Sequence, residues 1–400
     1  MKLKTLKDFN VEDLLVLLRV DINAPVVKGK ILDEPRIKSA AETIKYLLSK
    51  GAKLVILAHQ GRKGDRDFLS LEQHSKLLSK HSGKEIKYVD ALFEDLALNE
   101  IDQLEQGEAI LLKNVREYED ETTLEDSRFY AFSELFDLYV NDAFSVSHRK
   151  QGSIVIPPKQ TKSCIGLQFE KEISVLEKFS TKGKKTIYLL GGQKIDDYVP
   201  MFYLLENKNS KILASGVLAN LLLIAQGKDL GYESSWMKEK FLDSLMPKLK
   251  ELLSKYKDQI LLPIDFAVGD RNIEKAKRKE VSLSQAPFNE KIWDVGSKTT
   301  DFYSYEIEKS EVVFMKGPLG YSEIPAFSDS TVAILKKISQ KTKENKVFSL
   351  LGGGHLTSTL ENYNIPNNFS YISLSGGALI AYISGLELPG ISALMKGHKK

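Results

Sequence analysis

The chain has 400 residues, too many for one compact core, and its 42% hydrophobic and 28% charged content is that of a globular protein, so two folded domains are expected. A balance of 57 basic and 54 acidic residues leaves a net charge of +3 and no basic stripe, which argues against nucleic acid as a partner. A single cysteine, Cys164, excludes an intramolecular disulfide framework and a cysteine-ligated zinc cluster; between Ser163 and Ile165 it reads as a buried structural thiol.

Residues 1–10 carry lysines with no apolar stretch behind them, and the longest apolar runs, such as residues 218–225, are too short to span a bilayer. A cytoplasmic protein without membrane attachment is expected. Along the chain, apolar runs of strand length alternate with segments of helical period. Residues 14–20 read as a strand. Ile37, Ala40, Ala41, Ile44, Leu47 and Leu48 follow as one face of a helix, then residues 54–58 as a second strand, completing a β-α-β unit. Ser70 and Gln73 suggest a capping box for a helix through Leu78, and short strands are expected at 86–89, 109–112 and 138–140. After Pro157 and Pro158 the pattern restarts, with strands at 186–190, 211–214, 260–262, 312–315, 347–351 and 369–373. Continuously apolar strands separated by helices predict an α/β protein with two doubly wound, Rossmann-like parallel-sheet domains facing a hinged cleft. The expected division is an N-terminal domain over 1–165, a C-terminal domain over 166–385 and a segment 386–400 returning toward the first, with a connecting helix near 170–179.

Ligands of open parallel sheets bind beyond the carboxyl ends of the strands. In the first half those positions hold Asp21, Ile22 and Asn23; His59, Gln60, Gly61 and Arg62; Arg116; and Asn141, Asp142, His148 and Arg149. With Arg36 they form a cationic rim suited to a small polyanion carrying a phosphate, since the planar guanidinium fork matches phosphate and carboxylate oxygens. In the second half the strand ends are glycine-rich: Gly191, Gly192 and Lys194; Lys316, Gly317 and Pro318; Gly352, Gly353, Gly354 and His355; and Gly376 with Gly377. Such turns let backbone N–H groups approach phosphates, and a following helix adds its positive end, so a nucleotide is expected there. Neither G-x-x-x-x-G-K-[ST] nor G-x-G-x-x-G occurs, which disfavours a P-loop kinase and a dinucleotide-dependent oxidoreductase. His74, His81 and His398 read as exposed residues without a chemical task.

Taken together, the stretches 19–25, 58–62, 112–116, 140–149 and 386–394 resemble phosphoglycerate kinases over nearly the whole chain. The resemblance implies that Asp21, Ile22, Asn23, Arg36, His59, Gln60, Gly61, Arg62, Arg116 and Arg149 meet 3-phosphoglycerate or the matching part of 1,3-bisphosphoglycerate. It places ADP or ATP with Mg²⁺ on Gly192, Lys194, Lys316, Gly317, Pro318, Gly352, Gly353, Gly354 and His355, with Glu323 at the ribose. Arg36, Lys194 and backbone N–H groups near Gly354 and Gly377 would stabilise the moving phosphoryl group, and a monomer acting in glycolysis and gluconeogenesis is implied. Three positions depart from the best-known members: Tyr198 replaces a second lysine, Lys316 stands in a turn that is otherwise Trp-Asn-Gly-Pro, and His355 replaces an aspartate associated with magnesium. His355 is similar to archaeal members. Imidazole is a poor magnesium ligand, so the metal is expected to be held by nucleotide oxygens and water, aided by Asp196 or Asp197, and Lys316 is expected to replace the missing cation. A catalytically dead paralogue is the alternative that these departures support.

Overall fold

The computed structural model describes residues 3–32, 35–179, 181–193, 195 and 198–397, without the side chains of 239–244. The chain forms two compact units, residues 1–177 with 385–400, and residues 178–384. Each is built on a six-stranded sheet whose neighbouring strands all run parallel.

In the first unit the strand order is Lys87–Tyr88, Ala109–Leu111, Lys53–Leu57, Leu15–Arg19, Leu138–Asn141, Ser163–Ile165. The central strands are buried on both faces, which is why they read as unbroken apolar runs. Pro35 opens the helix Pro35–Ser49, its missing N–H costing nothing at a helix start. Ile37, Ala40, Ala41, Ile44, Leu47 and Leu48 form the buried face, as their spacing predicts. The edge strand Ser163–Ile165 was not expected; it buries Cys164, whose thiol is pushed up by desolvation.

Two sequence expectations are corrected here. Gln73 does not close a capping box with Ser70. Its amide instead accepts from the Ile31 N–H at 3.1 Å and donates to the Gly29 carbonyl at 3.0 Å, tying the helix Glu72–Ser82 to the hairpin Val26–Val27/Lys30–Ile31. His74 is not exposed but fully buried, and desolvation pulls its imidazole down to about 4. The helix Leu167–Lys178 occupies the place of the connecting helix expected near 170–179 and lies in the first unit through Glu177. Asp142, just past the strand Leu138–Asn141, accepts from the N–H groups of Gln168 (2.9 Å) and Phe169 (3.0 Å), and so caps that helix from a distance in sequence. Phe169 packs edge-on against Phe144 beneath it. Helix Pro389–Lys396 also lies in this unit, where the Gly390 N–H donates to the Ser147 carbonyl at 2.9 Å.

Burial raises the Asp142 carboxyl to about 7, against the opposing hydrogen bonds from Thr43, Phe169 and Gln168. A carboxyl raised on folding contributes stability that is complete below its unfolded value near 3.9 and is lost as pH rises to about 7. Asp142→Asn, which keeps an acceptor for both N–H groups, should therefore gain on the parent across this window and hold a constant lead above it. Urea midpoints from about pH 5 to about pH 8 check this; parallel pH profiles in the two proteins would contradict it.

In the second unit the strand order is Ile260–Leu261, Ser210–Ala214, Thr186–Leu190, Val312–Lys316, Phe348–Gly352, Tyr371–Ser373. Leu190 pairs with Lys316, Lys316 with Gly352, and Gly352 with Ser373, so four consecutive strands end in register and their turns leave from one edge. A three-stranded antiparallel sheet, Lys279–Ser282, Asp265–Gly269, Lys291–Val295, accompanies it and was not expected from sequence.

Candidate active-site residues of the two units

In the first unit the predicted cations form one electrostatically coupled cluster. Arg19, the last residue of its strand, has no exposed surface, and its guanidinium distributes its donors inward. Its Nε donates to Ser153 Oγ at 3.0 Å, and one terminal nitrogen donates to His59 Nδ1 at 3.0 Å and lies 3.9 Å from Glu121 Oε1. Glu121 is also buried and accepts from the Ser153 N–H (2.8 Å) and hydroxyl (3.0 Å). Desolvation raises the Glu121 carboxyl against these contacts. Burial first, and Arg19 second, lower the His59 imidazole well below its ordinary range, while Asp21 opposes them.

Asp21 receives a hydrogen bond from the Ser145 hydroxyl and one from the Asn23 N–H at 3.2 Å, and lies 3.4 Å from Arg36. Burial alone would raise its carboxyl; Arg36, His59 and the two hydrogen bonds outweigh it and bring it down to about 2. Arg36, in the first turn of its helix, also donates to the Asn23 carbonyl at 3.2 Å. Asn23 in turn accepts from the Gly61 N–H at 2.8 Å, and the Gly61 carbonyl accepts from Arg116. Desolvation, then Arg19 and Arg149, bring the Arg116 guanidinium down to about 10, with Arg62 adding to them. Arg149 donates from Nε to His148 Nε2 at 3.3 Å, and Arg62 is exposed.

At two of the expected substrate contacts the side chain is engaged within the unit. Ile22 is fully buried. The Gln60 side chain uses its whole capacity internally: its nitrogen donates to the carbonyls of Ala24 (2.9 Å) and Asp67 (3.0 Å), and its oxygen accepts from the Ala24 N–H (2.9 Å) and His74 Nε2 (3.1 Å). Conversely, Glu121, Ser145 and Ser153 were not anticipated. Glu121 sits in an acidic stretch with Glu119 and Asp120, and the sequence alone does not set it apart from them.

In the second unit the turns interlock through backbone that only glycine permits. A Cβ on Gly191 would lie 2.1 Å from the Pro318 carbonyl oxygen, and one on Gly317, at φ +76°, would lie 2.3 Å from that of Gly191. The Gly191 N–H donates to the Lys316 carbonyl at 2.8 Å. Tyr198, buried, donates its hydroxyl to the Gly191 carbonyl and reaches the Lys316 carbonyl at 3.3 Å. The Lys316 ammonium is almost buried, donates to the Gly376 carbonyl at 3.2 Å and stands 5.8 Å from the centre of the Tyr198 ring. Gly192 has φ +79° and Gly353 φ +109°; the helices Gly354–Asn362 and Gly376–Ile383, the latter containing Gly377, begin at the same edge. Lys194, Asp196, Asp197 and His398 lie outside the described residues.

His355 Nδ1 donates to Glu323 Oε1 at 2.7 Å. The two side chains are thus paired with each other through Nδ1, and the imidazole nitrogen that remains is a poor match for a magnesium ion, which prefers hard oxygen ligands. Among the described residues no group of three or more His, Cys, Asp and Glu side chains is gathered as a metal site, and no helix is long and apolar enough to cross a membrane.

Two parallel-sheet units, one with cations gathered at its strand ends and one with in-register glycine turns around a lysine, have the parts that a phosphotransferase needs. The family model for phosphoglycerate kinase matches residues 6–386. A phosphoglycerate kinase of Methanothermus fervidus is 37% identical, with 100% of this chain and 98% of the relative covered. The crystal structure of phosphoglycerate kinase from Pyrococcus horikoshii OT3 superposes with a TM-score of 0.87 at 32% identity, covering 98% of each chain. That of Coxiella burnetii gives a TM-score of 0.79 at 28% identity over 99% of each. The chain belongs to the phosphoglycerate kinase family, and it is a kinase.

Proposed function

We propose that the first unit binds 3-phosphoglycerate, or the corresponding part of 1,3-bisphosphoglycerate, and that the turns of the second unit bind ADP or ATP. The reaction is that of the family, reversible transfer of the acyl phosphate of 1,3-bisphosphoglycerate to ADP. The observation that carries the first assignment is the hydrogen-bonded run from Arg36 through Asn23 and Gly61 to Arg116, where burial first, then Arg19, Arg149 and Arg62, lower the Arg116 guanidinium, a concentration of positive charge that suits a polyanion. The second assignment rests on the four turns that leave one sheet edge in register with the Lys316 ammonium among them.

The chemistry asks little of a general base, because the acceptor in the ATP-consuming direction is a carboxylate already ionised at neutral pH. What remains is alignment and charge stabilisation. Arg36, Lys194 and the N–H groups near Gly354 and Gly377 are assigned to the charge on the transferring group. Direct transfer requires the two bound substrates to meet in line with water excluded, since water would hydrolyse the acyl phosphate. Mg²⁺ enters on this reading with the nucleotide, held by phosphate oxygens and water, and Glu323 with its partner His355 faces the ribose. A structure with bound Mg-nucleotide in which His355 directly ligates the ion would overturn that arrangement.

The test is ATP formation from ADP and enzymatically generated 1,3-bisphosphoglycerate at fixed Mg²⁺. Steady turnover supports the reading. Binding of both ligands with no turnover would identify a binding protein and overturn it.

A further inference from the structure

The hydrogen bonds around Arg19 have a direction that determines more than packing. A guanidinium only donates, and it does not lose its proton in proteins. His59 Nδ1, 3.0 Å from the Arg19 terminal nitrogen, therefore accepts with its lone pair and carries no hydrogen. The ring proton of the neutral imidazole is left on Nε2. Arg19 cannot rotate away from this task, because Nε is committed to Ser153 Oγ and the other terminal nitrogen to the Val20 carbonyl. Ser153 Oγ, having accepted from Arg19, passes its own hydrogen to Glu121 Oε1, and the Ser153 N–H fixes Oε2. The chain of donors thus runs one way from Arg19 through Ser153 to Glu121, and none of Arg19, Ser153 and Glu121 is more than 1% exposed.

We propose that the buried Arg19–Ser153–Glu121 assembly is a positioning device that holds His59 as the neutral Nε2–H tautomer, so that His59 offers the phosphoglycerate an uncharged hydrogen-bond donor. Arg19 and Glu121 act through the imidazole and do not touch the ligand. The arrangement separates two tasks. Arg36, Arg62, Arg116 and Arg149 supply positive charge, whereas His59 supplies a donor whose orientation does not depend on proton uptake. A histidine left to itself interconverts between tautomers and titrates within the physiological range. The charged groups acting on His59 are Arg19, Asp21, Arg116 and Arg149. Three of them oppose a further positive charge, and only Asp21 favours one.

The ligand in this statement rests on the proposed phosphoglycerate site, but the tautomer is tested on the free protein, so the two readings fail separately. The chain has six histidines, and the His59 signals in the ¹⁵N-histidine-labelled full-length protein are identified by their loss in His59→Gln. The expected spectrum has one protonated nitrogen, Nε2, and a bare Nδ1, unchanged from about pH 5.5 to about pH 8. In Arg19→Met/Glu121→Gln, which removes both charges so that neither is left buried alone, His59 should show mixed tautomers and titrate inside that range. KM for 3-phosphoglycerate should rise several-fold with a smaller change in kcat. Arg19→Lys, still a cationic donor, should keep the Nε2–H form. A parent spectrum with Nδ1 protonated, or with averaged tautomers, overturns the proposal even if the double variant does not fold. So does an unchanged His59 signature in a folded double variant.

Discussion

Arg36→Ala is expected to lower kcat for ATP formation on the order of a hundredfold or more, the range seen when a preorganised donor to transition-state charge is removed. Arg36 is well placed for such a role. Its side chain keeps 28% of its surface exposed, whereas Asp21, 3.4 Å away, keeps 11%. The carbonyl of Asn23 and the carboxylate of Asp21 fix one of its terminal nitrogens without enclosing the side chain. The substitution has a second, measurable consequence. Arg36 is the strongest of the influences that bring Asp21 down to about 2 against its burial. A carboxyl lowered on folding contributes stability that is present above its unfolded value near 3.9 and is lost as pH falls toward 2. Without Arg36 that contribution shrinks, and acid unfolding should begin at a higher pH than in the parent. Arg36→Lys keeps the charge but not the planar fork and should fall between the two. If KM for phosphoglycerate rose while kcat stayed unchanged, Arg36 would be a ground-state contact only, and its assignment to the moving phosphoryl group would be wrong.

The reasons some of this was legible in the sequence and some was not are physical. The strand expected at 186–190 is the strand observed, because a segment buried on both faces of a parallel sheet has no charged positions to interrupt its apolar run. The strand Lys279–Ser282 was invisible for the opposite cause: it is short and half-exposed, its lysine and glutamate face solvent, and it is antiparallel. Site residues followed the same rule. Residues beyond strand ends were singled out because ligands of open parallel sheets bind there, and cations at those positions act on one another in the folded unit. What one chain of letters could not show was which partners a polar residue finds within its own unit. Gln60, between His59 and Gly61, turned out to be the clamp that closes Ala24, Asp67 and His74 around it. His74 was misread because its partner lies fourteen residues away on another element. Arg19 gave no signal of its own, because its counter-group Glu121 is brought to it only by the folded chain.

Lys316→Met is the second substitution from which a large effect is expected: loss of ADP affinity by roughly ten- to a hundredfold, the equivalent of about 1.5–3 kcal/mol for charge-assisted hydrogen bonds to phosphate. The lysine is only 7% exposed and donates to the Gly376 carbonyl at the edge where the glycine turns end. A nucleotide phosphate bound at these turns would give the ammonium a charged acceptor. Methionine has nearly the same length and no charge, so the variant should fold at least as well as the parent, and weakened binding would not be confused with unfolding. Tyr198 provides the complementary test. Its hydroxyl bonds the Gly191 carbonyl, and its ring lies within cation–π reach of Lys316. Tyr198→Phe, which keeps the ring but frees the Gly191–Gly317 turns, should therefore weaken nucleotide binding by less than Lys316→Met does. Calorimetric titration with ADP, beside turnover measurements, distinguishes the roles. If Lys316→Met left affinity and kcat as they were while Lys194→Ala abolished activity, Lys316 would not replace the cation missing at Tyr198, and its burial beside the glycine turns would be a matter of packing.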